Sequence, residues 1–466
     1  MLFNSSDFLI FFAVFWTAYL LIARTLFWRN IMMVLASYVF YSWWDPRLTL
    51  LLLFTSVLDF TVGRLIAAAP SNARRRFWLV TSVTLNLGVL AVFKYFNFFR
   101  ESLASLLFSL GWGLHWRVWD IVLPVGISFY TFQSMSYVVD VYRRQIAAER
   151  NFVGFLGYVS FFPHLVAGPI QRGTTLLPQF SRTLFITAED LQLGLWLAIW
   201  GLFKKVVIAD NLAPLVDLVY QHRAPTAPMI LMGTIAFGLQ IYCDFSGYSD
   251  VATGISRLLG FRLTLNFNLP YVAVSLRDFW HRWHISLSTW LRDYLYFPLG
   301  GNRRTLSRTY LNLAVTMLLG GLWHGASLTF VLWGLWHGLG LIANHAWERL
   351  WGDRFRLPAR LGWLTTQLFV LYGWLLFRAD SLDQVIQFTR ALNLWSVPLW
   401  WRPFLGNLLM LSAPLLIVQF WQWRTKDLNA PVRLSLWPKA LLQAGLVYAI
   451  IAFWQPEASP FIYFQF

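Results

Sequence analysis

The chain has 466 residues, of which 58% are hydrophobic and only 12% charged, and its mean hydropathy is +0.54. A soluble domain is about a quarter charged, so a water-soluble globular protein is excluded and an all-α, multi-pass membrane protein is expected. The net charge of +16 then reads as arginine kept on one face of a lipid bilayer, with no nucleic-acid partner, and the single cysteine, Cys243, excludes an intrachain disulfide.

Apolar segments over 8–23, 31–44, 48–69 and 77–93 are candidate spans. Asp7 precedes the first of them and no basic residue does, so it reads as a permanent span with its N-terminus outside, not as a signal peptide. Residues 94–120 are mixed, and Trp112, Trp116 and Trp119 mark an interfacial stretch. Residues 121–141 can span. Pro163 and Pro169 interrupt 152–170, which reads as a kinked or re-entrant element. Lys204, Lys205 and Asp210 lie within 191–220, so two pieces or one tilted helix are expected there. Apolar 229–243 gives way to 244–260, which holds Asp244 and Asp250. Further spans are expected over 310–323, 328–347, 361–377, 404–423 and 440–454, for about eleven to thirteen helical elements in one polytopic domain over 1–466. The clusters Arg24/Arg29, Arg74–Arg76 and Arg143/Arg144 then fall on the cytoplasmic side.

Between these spans lies an amphipathic run over 275–294. On a helix turning about 100° per residue, Leu276, Phe279, Trp280, Trp283, Leu287, Trp290, Leu291 and Tyr294 share a face. Arg277, His281, His284, Ser288 and Arg292 form a stripe beside it, and Ile285 is the one violator. Ser275 and Asp278 stand at capping-box spacing. The arginines fit a helix lying among lipid headgroups. The histidines fit it less well, because lysine or arginine serves a headgroup better. His284 sits at the edge where it could line a cavity, and His281 is expected to support a neighbour.

His324 lies in the apolar run Gly320-Gly321-Leu322-Trp323-His324-Gly325, on the order of 20 Å beyond Arg308 at 1.5 Å per residue. A histidine at that depth pairs with a polar group or lines a wet path. The copy Trp336-His337-Gly338 lies in the next span, and composition and spacing do not choose between the two. Asp244 and Asp250 are expected to pair with arginines of the amphipathic helix, or to contact substrate. His164 reads as structural and Cys243 as a small packed residue. No tight His/Asp/Glu ligand set suggests a metal.

Residues 161–171, 244–250, 279–301 and 320–325 resemble the signatures of the membrane-bound O-acyltransferases, most closely the bacterial branch that O-acetylates alginate and cellulose. The D-alanyl transfer proteins of teichoic acid synthesis are relatives of that branch. The specific stretch is Trp283-His284-Ile285-Ser286-Leu287-Ser288 with Tyr294 and Pro298-Leu299-Gly300-Gly301-Asn302. The likeness covers a core over about 27–378, and the C-terminal helices over 379–466 carry no diagnostic motif. It implies helices ringed around a thin central tunnel that joins a cytoplasmic funnel to the outer face. It also implies that His324 is the essential histidine and His284 the second functional one, which decides between His324 and His337.

The resemblance further implies an O-acetyltransferase of the bacterial inner membrane. Such an enzyme would take acetyl from cytoplasmic acetyl-CoA, a donor substrate and not a tightly bound cofactor. A periplasmic or membrane-tethered acetyltransferase partner and a polysaccharide synthase and secretion complex would complete the system. Alginate and cellulose lead as the polymer, ahead of peptidoglycan. Neutral imidazole, with an ordinary pKa of about 6.5, suits removal of a hydroxyl proton during acyl transfer. Arg277, Arg282 and Arg292 would attract the donor phosphates, with Trp283, Ser288, Asp244 and Trp323 as further substrate contacts. Two alternatives stand beside this: a proton-coupled transporter or channel using His284 and His324 as a relay, and a scaffold for a polymer synthase. The lack of an inverted repeat argues against the transporter.

Overall fold

The computed structural model describes residues 1–112, 123–166, 168–352, 357–455 and 461–462. Among these residues the secondary structure is helical, with no strand. Trp116, Trp119 and Ala167 lie outside the described residues, and Trp112 is exposed beyond the end of helix Phe96–Ser109.

Among the described residues, five helices are long and apolar enough to cross a membrane: Pro46–Ala68, Asn72–Arg100, Ala188–Tyr220, Ala227–Leu258 and Trp401–Thr425. Ser6–Ile22 and Leu436–Ala452 are shorter apolar helices. The chain is a multi-pass membrane protein.

Two long helices organise the interior. Ala227–Leu258 runs unbroken for 32 residues through the point where the apolar stretch gives way to Asp244 and Asp250. Its neighbour Ala188–Tyr220 is also continuous, and a π-helical stretch, Phe203–Ala209, stands where a break was one expectation. The two backbones pack closely: a Cβ on Gly201 would lie 2.5 Å from the Gly247 carbonyl oxygen. A π-helical stretch re-aims side chains relative to an α-helix. Here both lysines of the stretch face the partner helix. Lys204 Nζ lies 2.7 Å from Asp250 Oδ2 and 2.9 Å from Ser246 Oγ. Lys205 Nζ lies 2.7 Å from Asp210 Oδ1 and 2.8 Å from Asp244 Oδ1. Asp244 and Asp250 therefore pair with lysines of the adjacent helix, not with arginines of the amphipathic run. Charges in an apolar interior must be matched locally, and packed helices bring these lysines closest.

The basic clusters behave unequally. Arg29 is buried and clamps the loop before helix Ala188–Leu202, donating to the carbonyls of Gln179 and Arg182 at 2.8 Å each. It is not one of the solvated charges that orient helices. Arg75 donates to the Tyr142 carbonyl at 2.7 Å, which brings the clusters at 74–76 and 143–144 to the same end of the molecule. Cys243 is fully buried. Past Ala379, Leu382–Ala391 forms a helix that the span pattern did not foresee.

Candidate active site

The run 275–294 is not one helix. It divides into Leu276–Arg282, Ile285–Leu291 and a π-helical turn, Arg292–Tyr296. Trp283 is extended, and His284 adopts the left-handed region at φ 42°, ψ 54°. A short non-helical segment, Asn266 to Asn268, engages the backbone groups at the break. The Asn268 N–H donates to the Arg282 carbonyl, and the Ile285 N–H to the Asn266 carbonyl, both at 2.9 Å. Ile285 violated a single helical face because a second helix begins there. Half of the expected capping box forms at the start: Ser275 Oγ accepts from the Asp278 N–H at 3.1 Å, while Asp278 Oδ2 accepts from the Val274 N–H at 3.3 Å.

The apolar face survives the break: all eight of its residues are buried or half-buried. The polar stripe does not. Arg277, His281 and Arg292 are exposed, whereas His284 is 0% exposed. His284 Nδ1 faces Asn266 Oδ1 at 3.2 Å, and its Nε2 has no hydrogen-bond partner among the described residues. Around the ring stand Phe245 at 4.6 Å between centroids, Trp323 at 5.9 Å, and Phe129 and Phe267 at 6.4 Å each.

His324 is the last residue of helix Leu306–His324, and Gly325 continues as extended chain. A helix that stops this way leaves carbonyls unmatched. Lys94 and Tyr95, in and at the end of the π-helical stretch Ala91–Tyr95, cover them. Tyr95 Oη donates to Leu322 O at 2.7 Å, and Lys94 Nζ donates to Trp323 O and, at 3.2 Å, to His324 O. In the sequence Lys94 marks only a segment boundary. A lone lysine between Phe93 and Tyr95 in an apolar stretch nonetheless carries the same signal as His324.

Tryptophans interleave the histidines. Trp323 stands between His284 (5.9 Å) and His324 (4.9 Å), and Trp333 between His324 (4.9 Å) and His337 (4.8 Å). Both copies of the Trp-His-Gly motif thus enter one cluster. The helices carrying them, Leu306–His324 and Leu328–Trp351, pack at Gly334, where a Cβ would lie 2.5 Å from Met317 O.

The other expected site residues separate. Arg277 pairs with Glu348 at 3.3 Å on the surface, and Arg282 with Asp278 at 2.7 Å. Arg292 instead joins Arg143 and Arg172 around Asp293: Arg292 Nε and Arg172 Nη1 reach its carboxylate at 2.7 and 2.6 Å, and Arg143 donates to its carbonyl at 3.1 Å. Burial works against ionisation of Asp293, but the hydrogen bonds from Arg292 and Arg172 prevail and hold its carboxyl below the ordinary carboxylate range. The three arginines expected to form one phosphate patch are therefore split by the helix break. Trp283 is buried against Phe279 and Trp374, and Ser288 Oγ donates to the Trp283 carbonyl at 3.2 Å, so both residues serve the break itself. His164 Nε2 lies 2.6 Å from Gln133 Oε1.

Three contributors had no sequence signal assigned to them. Asn266 gathers four groups of the break. Phe461 and Ile462, from the stretch without a diagnostic motif, are buried: the Ile462 N–H donates to Asp244 Oδ2 at 2.7 Å, and the Phe461 ring lies 5.8 Å from that of Phe245.

Buried histidines are gathered inside an all-helical membrane protein, and His284 and His337 each have a ring nitrogen without a hydrogen-bond partner among the described residues; imidazoles so placed are able to take up or hand on a proton in an apolar setting. The sequence model of the membrane-bound O-acyltransferase family matches residues 145–382, and the chain belongs to that family. It is 42% identical over 436 residues to the probable alginate O-acetylase AlgI of Azotobacter vinelandii, covering 93% of this chain and 81% of that protein. It is 45% identical over 385 residues to the probable alginate O-acetylase AlgI of Pseudomonas aeruginosa, covering 82% and 73%. It is also 35% identical over 399 residues to the peptidoglycan O-acetyltransferase of Helicobacter pylori, covering 79% and 75%. The chain is a membrane O-acyltransferase.

Proposed function

We propose that the protein moves acetyl from cytoplasmic acetyl-CoA across the bacterial inner membrane, for O-acetylation of an exopolysaccharide through a periplasmic or membrane-tethered partner. Alginate is the favoured polymer, since two relatives carry that name, and the Helicobacter pylori relative keeps peptidoglycan as a second candidate. In the transfer, an acceptor hydroxyl oxygen attacks the thioester carbonyl carbon, the C–S bond breaks, and the hydroxyl proton passes through histidine to the leaving thiolate. His324 would act on the reacting atoms, with His284 orienting or relaying. The Arg143, Arg172 and Arg292 group is the basic surface suited to the donor phosphates, in place of Arg277 and Arg282.

The observation that carries this reading is the buried His284–Trp323–His324 cluster inside the family-matched region. The test compares His324→Ala with His337→Ala at equal membrane levels, reading acetyl ester content of the host's secreted polysaccharide. Loss with the first alone is expected. Full acetylation in His324→Ala would sink the assignment and move weight to His284, or to the transporter and scaffold readings.

A further inference from the structure

Asn266 is 3% exposed and lies just before the broken helix. Its Oδ1 receives three groups: Ser286 Oγ at 2.8 Å, His284 Nδ1 at 3.2 Å and the Ser286 N–H at 3.4 Å. Its Nδ2 donates to Ser249 Oγ at 3.0 Å, and its own carbonyl takes the Ile285 N–H at 2.9 Å.

This pattern fixes which way the amide points. The Ser286 N–H is an obligate donor, so the side-chain atom it meets must be the amide oxygen. The Ser286 hydroxyl is likewise committed, because it accepts from the Ile170 N–H at 3.0 Å and its proton goes to Asn266 Oδ1. The polar atoms near His284 Nδ1 are then acceptors, and Nδ1 must carry the proton. A neutral imidazole with Nδ1 protonated has a bare lone pair on Nε2. That Nε2 is the buried ring atom without a partner among the described residues. The left-handed backbone at His284 is held by the Ile285 N–H bond to the same asparagine, so one residue sets both the position and the tautomer of the ring.

We infer that Asn266 is a positioning residue that holds His284 as the Nδ1–H tautomer and so presents Nε2 as a proton acceptor in the site. Its role in transfer rests on the acetyl-transfer reading above. The tautomer itself does not.

The test has two arms on the full-length protein. In the first, 15N-histidine-labelled protein in lipid bilayers is studied by solid-state NMR, and the wild-type spectrum minus that of His284→Gln isolates the His284 signals. A protonated Nδ1 with a bare Nε2 is expected. A protonated Nε2 overturns the inference, whatever the variants do. In the second arm, inverted membrane vesicles are given acetyl-CoA, and kcat and KM are measured for wild type, Asn266→Leu, Asn266→Asp and His324→Ala. Asn266→Leu should lower kcat by about 10- to 100-fold with KM for acetyl-CoA little changed, and Asn266→Asp, which keeps the acceptor, should recover most of the loss. Wild-type kcat in Asn266→Leu, alongside an inactive His324→Ala, overturns the role of Asn266 alone. Full activity in His324→Ala overturns the acetyl-transfer mechanism centred on that histidine, while the tautomer found in the first arm stands. If Asn266→Leu does not accumulate, the wild-type spectrum and Asn266→Asp decide.

Discussion

The two Trp-His-Gly copies make a natural experiment. His324 ends its helix, Gly325 continues extended, and Lys94 caps the carbonyls exposed by that ending. His337 lies within helix Leu328–Trp351, wrapped by Trp280 at 5.2 Å, Phe369 at 5.6 Å and Phe279 at 6.4 Å, and a Cβ on Gly373 would lie 2.7 Å from its Nε2. The same three residues thus build a helix terminus in one place and a packed wall in the other. A motif names side chains, whereas the backbone path around it decides what they can do.

Removing each ring puts this contrast under the most strain. His324→Ala should cut acetyl transfer by about 10²- to 10⁴-fold, the range of a lost general base. His337→Ala should instead cost about 2–4 kcal/mol of stability through the cavity left among its aromatic neighbours, with the rate per folded molecule retained. Initial rates normalised to folded protein, together with melting temperatures in detergent, separate the two outcomes.

The glycines give the next contrast. A Cβ on Gly325 would overlap the Phe330 ring, which packs beside His324, so Gly325→Ala should destabilise by about 1–3 kcal/mol and lower activity as well. A Cβ on Gly338 meets Ala314 Cα at 3.3 Å and Met317 Cβ at 3.4 Å. Slight crowding there opposes the gain of about 1 kcal/mol from alanine in a helix, so Gly338→Ala should be near neutral. Equal effects from the two changes would dissolve the distinction between the copies.

Lys94 tests the helix ending. Lys94→Met strips donors from the Trp323 and His324 carbonyls and should cost about 1–3 kcal/mol, while Lys94→Arg should recover part of it. A melting temperature unchanged by Lys94→Met would show that the His324 helix ends stably without its cap.

The smallest effect is at the basic end. The Asp293 carboxyl is held below its ordinary value, so its stabilisation is present above the unfolded-state pKa of about 3.9 and is lost as pH falls below it. Melting temperature should be flat from pH 8 to about 5 and decline near pH 4 and below, with a shallower decline in Asp293→Asn. A decline equally steep in that variant would remove Asp293 from the account.

Much of this was legible in residue order. The apolar stretches predicted helical membrane crossings, and the Trp-His-Ile-Ser and Trp-His-Gly stretches singled out His284, His324 and His337, which the fold brings into one buried cluster. Both patterns are local: twenty apolar residues must span, and a lone histidine among them must have a reason. Ile285 was legible as a violator, yet not as a helix start, because the break depends on Asn266 and Asn268 engaging the diverted backbone groups.

Residue order alone could thus establish a helical membrane protein with histidines set in or beside its apolar segments, since hydropathy and motif are properties of neighbours along the chain. It could not place Asn266 against His284, pair Asp244 with Lys205, bring Lys94 to the end of the His324 helix, or divide Arg282 from Arg292. Each of these joins groups far apart in sequence or turns on a break in the backbone. Partners for buried polar groups are chosen by which elements pack together, and that choice is made in three dimensions.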